Sequence, residues 1–229
     1  MFQGSNIFII NTLIKDNYSP ITSIFYIMNS EIFLKTNVKI FGCTIEYNSG
    51  SKAAIRTKEV ILLDFQVSNC SFSYNKMENN GFFGISSISV DYRRFSVHVS
   101  TCNFKENEAN KGGVFFLESR NLDFTVENCT FFKNRARRFG GIITSWAFLE
   151  LVVITRNCVF LMNSAYISAF VYNMLMTFED QGSLFYRNIA NFSSTITATS
   201  LSINKFTSSI FIESIALESY NFFCYPSGS

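Results

Sequence analysis

A six-residue pattern returns along this chain and places the strongest limit on its fold. Five of the six cysteines open a copy of it, with an apolar residue two positions later and an asparagine five positions later. These copies read CTIEYN, CSFSYN, CNFKEN, CTFFKN and CVFLMN, and they begin at Cys43, Cys70, Cys102, Cys129 and Cys158. Weaker copies, TLIKDN from Thr12 and SLFYRN from Ser183, flank them. A pattern that returns this often indicates a repeat architecture.

The distance between copies varies, and the variation favours strands over helices. The closing asparagines lie 25 to 32 residues apart. They are Asn17, Asn48, Asn75, Asn107, Asn134, Asn163 and Asn188. Helical repeats must keep whole helices, so their period is nearly constant, whereas short strands joined by loops allow each loop to vary. We therefore expect a stack of strand-built coils.

The columns beside the hexapeptide describe each coil. Residues before the cysteines alternate between apolar and polar, as in Val97-His98-Val99 and Phe124-Thr125-Val126, which is typical of a strand with one buried face. Small pairs such as Gly112-Gly113 and Gly140-Gly141 follow the asparagines, where they let the backbone pass close to the core. We predict an all-β parallel β-helix of about seven to eight coils with about three short strands per coil, roughly 35 Å long.

The domain organisation follows from the extent of the repeats. We predict one domain over residues 1–229, with clear repeats over 12–200 and a last coil or cap plus tail over 201–229. A second interpretation is a piece of a longer protein. The N-terminal residues lack a basic segment, and no stretch approaches the ~20 apolar residues of a membrane span, so we expect no signal peptide and no direct membrane insertion in this chain. A formal net charge of +2 predicts no nucleic-acid partner.

The cysteines are expected to point into the bore of the coil in one line. No two of them have the close spacing of metal ligands, and His98 lies on the outward side of its strand, so we expect no metal site and no cofactor. Stacked cysteines would lie ~4.8 Å apart. Disulfides between coils therefore remain open, but free buried thiols acting as small hydrophobic residues are the favoured interpretation.

The asparagines are expected to form a second structural column. Asparagine tolerates the left-handed backbone that a tight corner needs, and stacked amides can bond one another along an axis. We predict both roles for the ladder asparagines, which are Asn48, Asn75, Asn107, Asn134 and Asn163.

Two motifs in these repeats resemble those of a known repeat family. An FxxN motif stands at 72–75, 104–107, 131–134, 160–163 and 185–188, and a GG-apolar motif stands at 112–115 and 140–143. Over roughly residues 12–200 the chain resembles the repeats of polymorphic outer-membrane proteins, within the broad class of pectin-lyase-like, right-handed parallel β-helices. The resemblance implies a right-handed coil and an extracellular or cell-surface, adhesive role, but it implies no single activity.

Two segments are candidates for contacting a partner. The longer coils carry extra residues between the small pair and the next cysteine, and one insertion contains Asp91, Tyr92, Arg93 and Arg94, which suits a contact surface but also an ordinary solvated turn.

The second candidate is Arg137 with Arg138, at the end of a basic run from Lys133. Aligning the repeats places Lys76, Glu108 and Arg135 side by side, so structural ion pairing competes with partner binding. Arg137 would then lie over Tyr166, where a cation–π contact is expected.

These observations favour binding over catalysis. Asp64 and Asp123 occupy the same position two repeats apart, ~10 Å, which exceeds the carboxylate separation of either usual glycosidase geometry. We predict a non-enzymatic structural or binding solenoid. It would present its rod surface to protein or glycan partners, or join a larger assembly or filament through its coil ends. The alternative is a polysaccharide-active lyase or hydrolase.

Overall fold

The computed structural model shows a parallel β-solenoid. It describes residues 6–21, 23–28, 35–58, 62–87, 95–119, 121–146, 151–173, 176–193, 195–198, 202–218 and 222–224. These residues form four parallel sheets of eight strands each, here named sheets A to D in the order in which the chain enters them. Every coil adds one strand to each sheet, so the strands stack along the axis of the rod.

The strands of the first four coils are β1 (Asn6–Ile10), β2 (Leu13–Lys15), β3 (Tyr18–Ser19), β4 (Phe25–Met28), β5 (Lys35–Phe41), β6 (Thr44–Glu46), β7 (Ser49–Gly50), β8 (Ile55–Lys58), β9 (Leu62–Ser68), β10 (Ser71–Ser73), β11 (Lys76–Met77), β12 (Phe83–Ser87), β13 (Phe95–Ser100), β14 (Asn103–Lys105), β15 (Glu108–Lys111) and β16 (Phe115–Ser119). Those of the last four are β17 (Leu122–Glu127), β18 (Thr130–Phe132), β19 (Arg135–Phe139), β20 (Ile143–Ser145), β21 (Leu151–Arg156), β22 (Val159–Leu161), β23 (Ser164–Ile167), β24 (Val171–Asn173), β25 (Met176–Gln181), β26 (Leu184–Tyr186), β27 (Ile189–Ala190), β28 (Ile196–Ala198), β29 (Ile203–Thr207), β30 (Ile210–Ile212), β31 (Ile215–Ala216) and β32 (Phe222–Cys224).

The parallel β-helix is confirmed, but the prediction of three strands per coil is wrong, because each coil has four. The additional strand belongs to sheet C and directly follows the ladder asparagine, as β11 (Lys76–Met77) follows Asn75. In five of the eight coils this strand has only two residues. A strand that short shows no alternation in the sequence, so only its pairing with neighbouring coils reveals it.

The core is a set of inward columns, of which the phenylalanine column is the most regular. The rings of Phe72, Phe104, Phe131, Phe160, Phe185 and Phe211 stack in one line. Successive centroids lie 4.6 to 4.9 Å apart and the ring planes agree within 15°. This spacing matches the distance between parallel strands, so each coil fixes the ring position of the next.

The left-handed corner residue is not the asparagine but the residue before it, so the predicted backbone role of the asparagine is wrong. The residues in this position have φ between 49° and 57°. They are Asp16, Tyr47, Tyr74, Glu106, Lys133, Met162, Arg187 and Glu213. Because the asparagine must keep its amide inside the bore, the chain turns one residue earlier. A left-handed conformation costs roughly 1–2 kcal/mol for a residue other than glycine.

The asparagine amides form a continuous hydrogen-bonded ladder. Asn134 is representative: its Nδ2 donates to the Phe104 carbonyl oxygen at 2.9 Å and to Asn163 Oδ1 at 3.1 Å. Its Oδ1 accepts from both Nδ2 and the backbone N–H of Asn107, at 3.0 and 3.1 Å. Both donors and both acceptor sites of the amide are therefore used, in a side chain that is fully buried.

Replacing one ladder asparagine should destabilise the whole rod. Asn134→Ala leaves the Phe104 carbonyl and two donors of Asn107 buried without partners, so we expect a loss of at least about 3 kcal/mol. Urea unfolding followed by circular dichroism measures it. The matched control is Asn103→Ala, because Asn103 is exposed on the neighbouring strand and should change stability by less than about 0.5 kcal/mol. Equal unfolding midpoints for the two variants would contradict the ladder.

Candidate functional site

A bulge in sheet C produces the most distinctive outer surface of the rod. The strand β19 pairs in register with both neighbours as far as Ala136, and its register then shifts before Phe139. Regular alternation would bury one of two successive residues, but here both Arg137 and Arg138 are exposed. Bulges re-aim side chains and are frequent next to functional sites. The fold therefore turns two adjacent guanidinium groups outward.

A groove of about 320 Å³ lies beside the bulge, and we call it the arginine groove. It crosses the fifth to seventh coils on the outer face of sheet C. Its lining residues are Arg135, Ala136, Arg137, Ser164, Ala165, Tyr166, Ile189 and Asn191. Phe192 extends it, because its ring meets Tyr166 edge-on with centroids 5.5 Å apart. Tyr166 and Ile189 are nearly half exposed, so the groove offers aromatic, aliphatic and cationic groups together.

The charges of the groove are only partly neutralised within the protein. The predicted alignment of Lys76, Glu108 and Arg135 is confirmed by the strand pairing. However, the ion pair with Glu108 is made by Arg137, whose Nε lies 2.8 Å from Oε1, because the bulge swings Arg137 back toward that carboxylate. Among the residues that the structure describes, Arg135 has no ion pair, so its guanidinium remains available to a partner.

A second cluster lies where sheet C turns into sheet D. The Lys111 ammonium lies 3.7 Å from the centroid of Trp146, and Phe116 packs edge-on against the same indole at 5.8 Å. Burial, and then the nearby charge of Arg138, lower the pKa of Lys111. The indole already holds a cation, so this corner is a cation–π contact within the fold. Arg138 adds positive charge between the corner and the arginine groove.

The two predicted contact segments have different outcomes. The segment from Asp91 through Tyr92 and Arg93 to Arg94 lies outside the described residues. Arg137 lines the arginine groove, and Arg138 is exposed next to it.

Sequence reasoning missed the contribution of Ile189 and Asn191, which belong to the seventh coil. The repeat alignment could have found them. Ile189 follows its asparagine as directly as Arg135 follows Asn134, and Asn191 stands at the same position of its repeat as Arg137.

The five ladder cysteines are buried, unpaired thiols. Their thiols donate to backbone carbonyls, as Cys102 donates to the Ser100 carbonyl oxygen at 3.1 Å. The sulfur atoms of Cys70 and Cys129 also accept from the preceding coil, as Cys129 Sγ accepts from the Cys102 N–H at 3.4 Å. Hydrogen bonding to Cys102 and burial both raise the pKa of the Cys70 thiol. The Cys70 thiol therefore carries little thiolate and reacts slowly. Hydrogen bonding to Cys129 instead lowers the pKa of Cys102, so burial is what protects that thiol.

The aspartates occupy separate places in the fold. Asp64 and Asp123 lie in register on sheet A with Ser96 between them, two strands apart as the sequence predicted. Asp180 instead faces the interior, is 2% exposed and accepts hydrogen bonds from the hydroxyl groups of Thr155 and Ser209. It occupies a column that holds Val126 two coils earlier, so a carboxylate is buried where the repeat otherwise places apolar or hydroxyl side chains.

Comparisons with known proteins give no relative for this chain. No protein-family model matches it, and no curated protein or solved structure matches it either. Across the described residues, the structure has no group of three His, Cys, Asp or Glu side chains arranged to hold a metal ion. In the same part of the chain, no helix has the length and apolar character needed to cross a bilayer.

The ladder cysteines should be protected in the folded protein and free once it unfolds. Iodoacetamide on the native protein should leave Cys43, Cys70, Cys102, Cys129 and Cys158 unmodified because each is at most 4% exposed. In denaturant without reductant all five should be alkylated, as peptide mass spectrometry would show. If alkylation of the denatured chain requires a reductant, the free-thiol interpretation is wrong.

Removing the hydroxyl of Thr155 should lower the stability of the fold, because this hydroxyl donates a hydrogen bond to the buried carboxylate of Asp180. Thr155→Val keeps the shape of the side chain but removes one of the two hydroxyl donors to Asp180, so we expect a loss of about 1–3 kcal/mol. Thr177→Val is the control, since Thr177 lies on the outward side of the strand that carries Asp180. Thermal unfolding compares the two variants, and an equal change in both would show that the Asp180 contact contributes nothing.

Proposed function

We propose that this protein is a non-enzymatic binding solenoid that holds an extended acidic segment of a partner protein in the arginine groove. The observation that carries the proposal is the bulge in β19, which turns Arg137 and Arg138 outward beside an exposed aromatic pair. Arginine and tyrosine are enriched where proteins bind partners, because each combines a large contact area with directional hydrogen bonding.

The groove suits an extended ligand more than a compact one. It crosses three coils, so its polar groups follow one another along the rod axis at about the strand spacing of 4.8 Å. The unpaired guanidinium of Arg135 can take a carboxylate with two parallel hydrogen bonds. Ile189 and Tyr166 would cover an apolar residue between two acidic ones. The partner segment we expect therefore alternates acidic and apolar side chains.

An acidic glycan is the second candidate for the groove. Tyr166 presents an exposed ring on which a sugar can stack, and the Asn191 amide can bond hydroxyl groups. A carboxylate on the sugar would meet Arg135. An extracellular or cell-surface, adhesive role of the kind implied by the resemblance to outer-membrane repeats is compatible with either ligand.

Polysaccharide cleavage is the alternative function, and the positions of the carboxylates favour binding over it. The outer surface of sheet A has a smaller cavity of about 200 Å³, beside Glu179 and Lys205. Asp180 follows Glu179 in the strand but faces the interior, so these two carboxylates point to opposite sides of the sheet. Asp64 lies several strands away along the same sheet. Hydrolysis of a glycosidic bond usually needs two carboxyl groups that converge on that bond.

The binding proposal predicts a charge effect confined to the groove. A fluorescent peptide of alternating glutamate and leucine should bind, and Arg135→Glu/Arg137→Glu should weaken it at least about tenfold, since two charge-assisted contacts are lost. Fluorescence anisotropy measures the affinity, and oligogalacturonate as competitor tests the glycan candidate.

The matched control is Lys39→Glu/Lys52→Glu, which makes the same change in net charge at exposed sites away from the groove. Equal weakening by both double variants would mean that total charge, and not the groove, holds the peptide. Release of reducing or unsaturated sugars from oligogalacturonate would favour the enzymatic alternative.

A further inference from the structure

Among the described residues, no strand pairs with the outer edge of the first or of the last coil. The strands β1 to β4 and β29 to β32 are the outermost members of the four sheets, so each has a neighbour on one side only. Unpaired strand edges are templates for pairing with another chain. Large apolar side chains accompany them at the N-terminal end, where Phe8, Ile10, Leu13, Tyr18, Ile21 and Met28 are exposed. Those at the C-terminal end are Ile203, Ile210, Ile212, Ile215 and Leu217.

Two outward columns, one in sheet B and one in sheet C, are polar in their middle coils and apolar at both ends. One column of sheet B reads Leu13, Thr44, Ser71, Asn103, Thr130, Val159, Leu184 and Ile210. One column of sheet C reads Tyr18, Ser49, Lys76, Glu108, Arg135, Ser164, Ile189 and Ile215. A solvated outer face is polar in its middle coils, so the apolar residues that close each column mark surfaces that meet another molecule.

The asparagine ladder gives the two ends opposite hydrogen-bonding character. Along the ladder, each amide donates one hydrogen bond to the next amide toward the C-terminal end, from Asn17 to Asn48 and onward to Asn188. Within the described residues no donor reaches Asn17 Oδ1, so the N-terminal end presents a free acceptor. In the eighth coil Ser214 takes the asparagine position, and its Oγ is buried without a partner among the described residues. In the described residues, the Ser214 hydroxyl is therefore a donor without an acceptor at the C-terminal end of the ladder.

We propose that copies of this chain stack head to tail, with the eighth coil of one copy against the first coil of the next. The four sheets then continue in register across the junction. Ser214 Oγ donates to Asn17 Oδ1 of the next copy, and the phenylalanine column extends from Phe211 onto Ile14. The outward rim is sealed by Ile210 beside Leu13 and by Ile215 beside Tyr18. The proposal is independent of what the arginine groove binds.

Contacts between two like ends do not provide hydrogen-bond partners for both ends of the rod. A two-fold contact between N-terminal ends would bring two Asn17 acceptors together, and it could not continue the parallel pairing. One contact opposes the head-to-tail junction. Asp16 and Glu213 share a column, so these two carboxylates would meet across the junction. Arg187 already forms an ion pair with Glu213, which reduces the repulsion. A head-to-tail contact does not close, so it generates a filament. Eight strands per copy at ~4.8 Å give an axial rise of about 38 Å.

End-specific variants test the junction directly. Leu13→Asp/Tyr18→Asp blocks the N-terminal end, and Ile210→Asp/Ile215→Asp blocks the C-terminal end. All four positions are exposed, so folding should persist, as circular dichroism would verify. The control is Asn103→Asp/Lys76→Asp, at exposed positions of the same two columns in the middle of the rod. Sedimentation velocity over a range of concentrations reports assembly.

The expected results separate head-to-tail stacking from every other contact. Wild type and control should form species that grow with concentration, with an axial repeat of about 38 Å in electron micrographs. Each blocked variant alone should remain a monomer of 26.1 kDa. Their equimolar mixture should form one-to-one dimers and nothing longer, because only one competent junction exists.

Three results would overturn the proposal. A dimer of the C-blocked variant alone would show contact between N-terminal ends, and a dimer of the N-blocked variant alone would show contact between C-terminal ends. A wild type that stays monomeric at every concentration would show that the two ends do not stack on one another.

The ladder itself can be tested by a gain of assembly. Ser214→Asn restores the amide at the end of the ladder, adding a donor toward Asn17 of the next copy. One added hydrogen bond should lower the concentration at half-assembly by about tenfold. Asn103→Gln is the control, as an amide change on the outer face. An unchanged half-assembly concentration for Ser214→Asn would refute continuation of the ladder across the junction.

Discussion

The amide ladder is the interaction on which the rest of the structure depends. Each ladder asparagine links its own coil to the coils on both sides, through its neighbours' amides and a backbone carbonyl one coil back. It therefore fixes the position of the coil along the axis and its register with the neighbouring coils. The stacked phenylalanine rings lie on the sheet B strand that ends two residues before the asparagine, and the cysteine directly precedes that strand. Their regular spacing therefore follows from the register that the amides impose.

The ladder also explains why the outer surface varies. The left-handed residue before each asparagine points outward, and it can be Tyr74, Lys133 or Arg187 because its conformation is imposed by the bonds on both sides of it. Its cost of roughly 1–2 kcal/mol is offset by the hydrogen bonds that the turn allows. The repeat thus constrains inward positions strictly and leaves outward ones free, which is where binding surfaces can arise.

The sequence predicts what repeats and misses what breaks the repeat. The cysteine and asparagine columns identify the solenoid, and their alignment places Lys76, Glu108 and Arg135 side by side. The two-residue strands of sheet C are too short to show a period. The bulge in β19 depends on how neighbouring strands pair, and the sequence gives no signal of it. For this reason Arg137, and not Arg135, forms the ion pair with Glu108.

Function in such a rod should lie where the repeat is interrupted, because an uninterrupted coil only extends the stack. Here the described interruptions are of two kinds. The bulge redirects arginines beside an aromatic pair on the side of the rod, and the end coils replace polar outward residues by Leu13 and Ile210. The first interruption creates a lateral surface and the second an axial one. A filament joined through the axial surface would repeat the lateral groove along its length, so weak binding at each groove would become strong by multivalency.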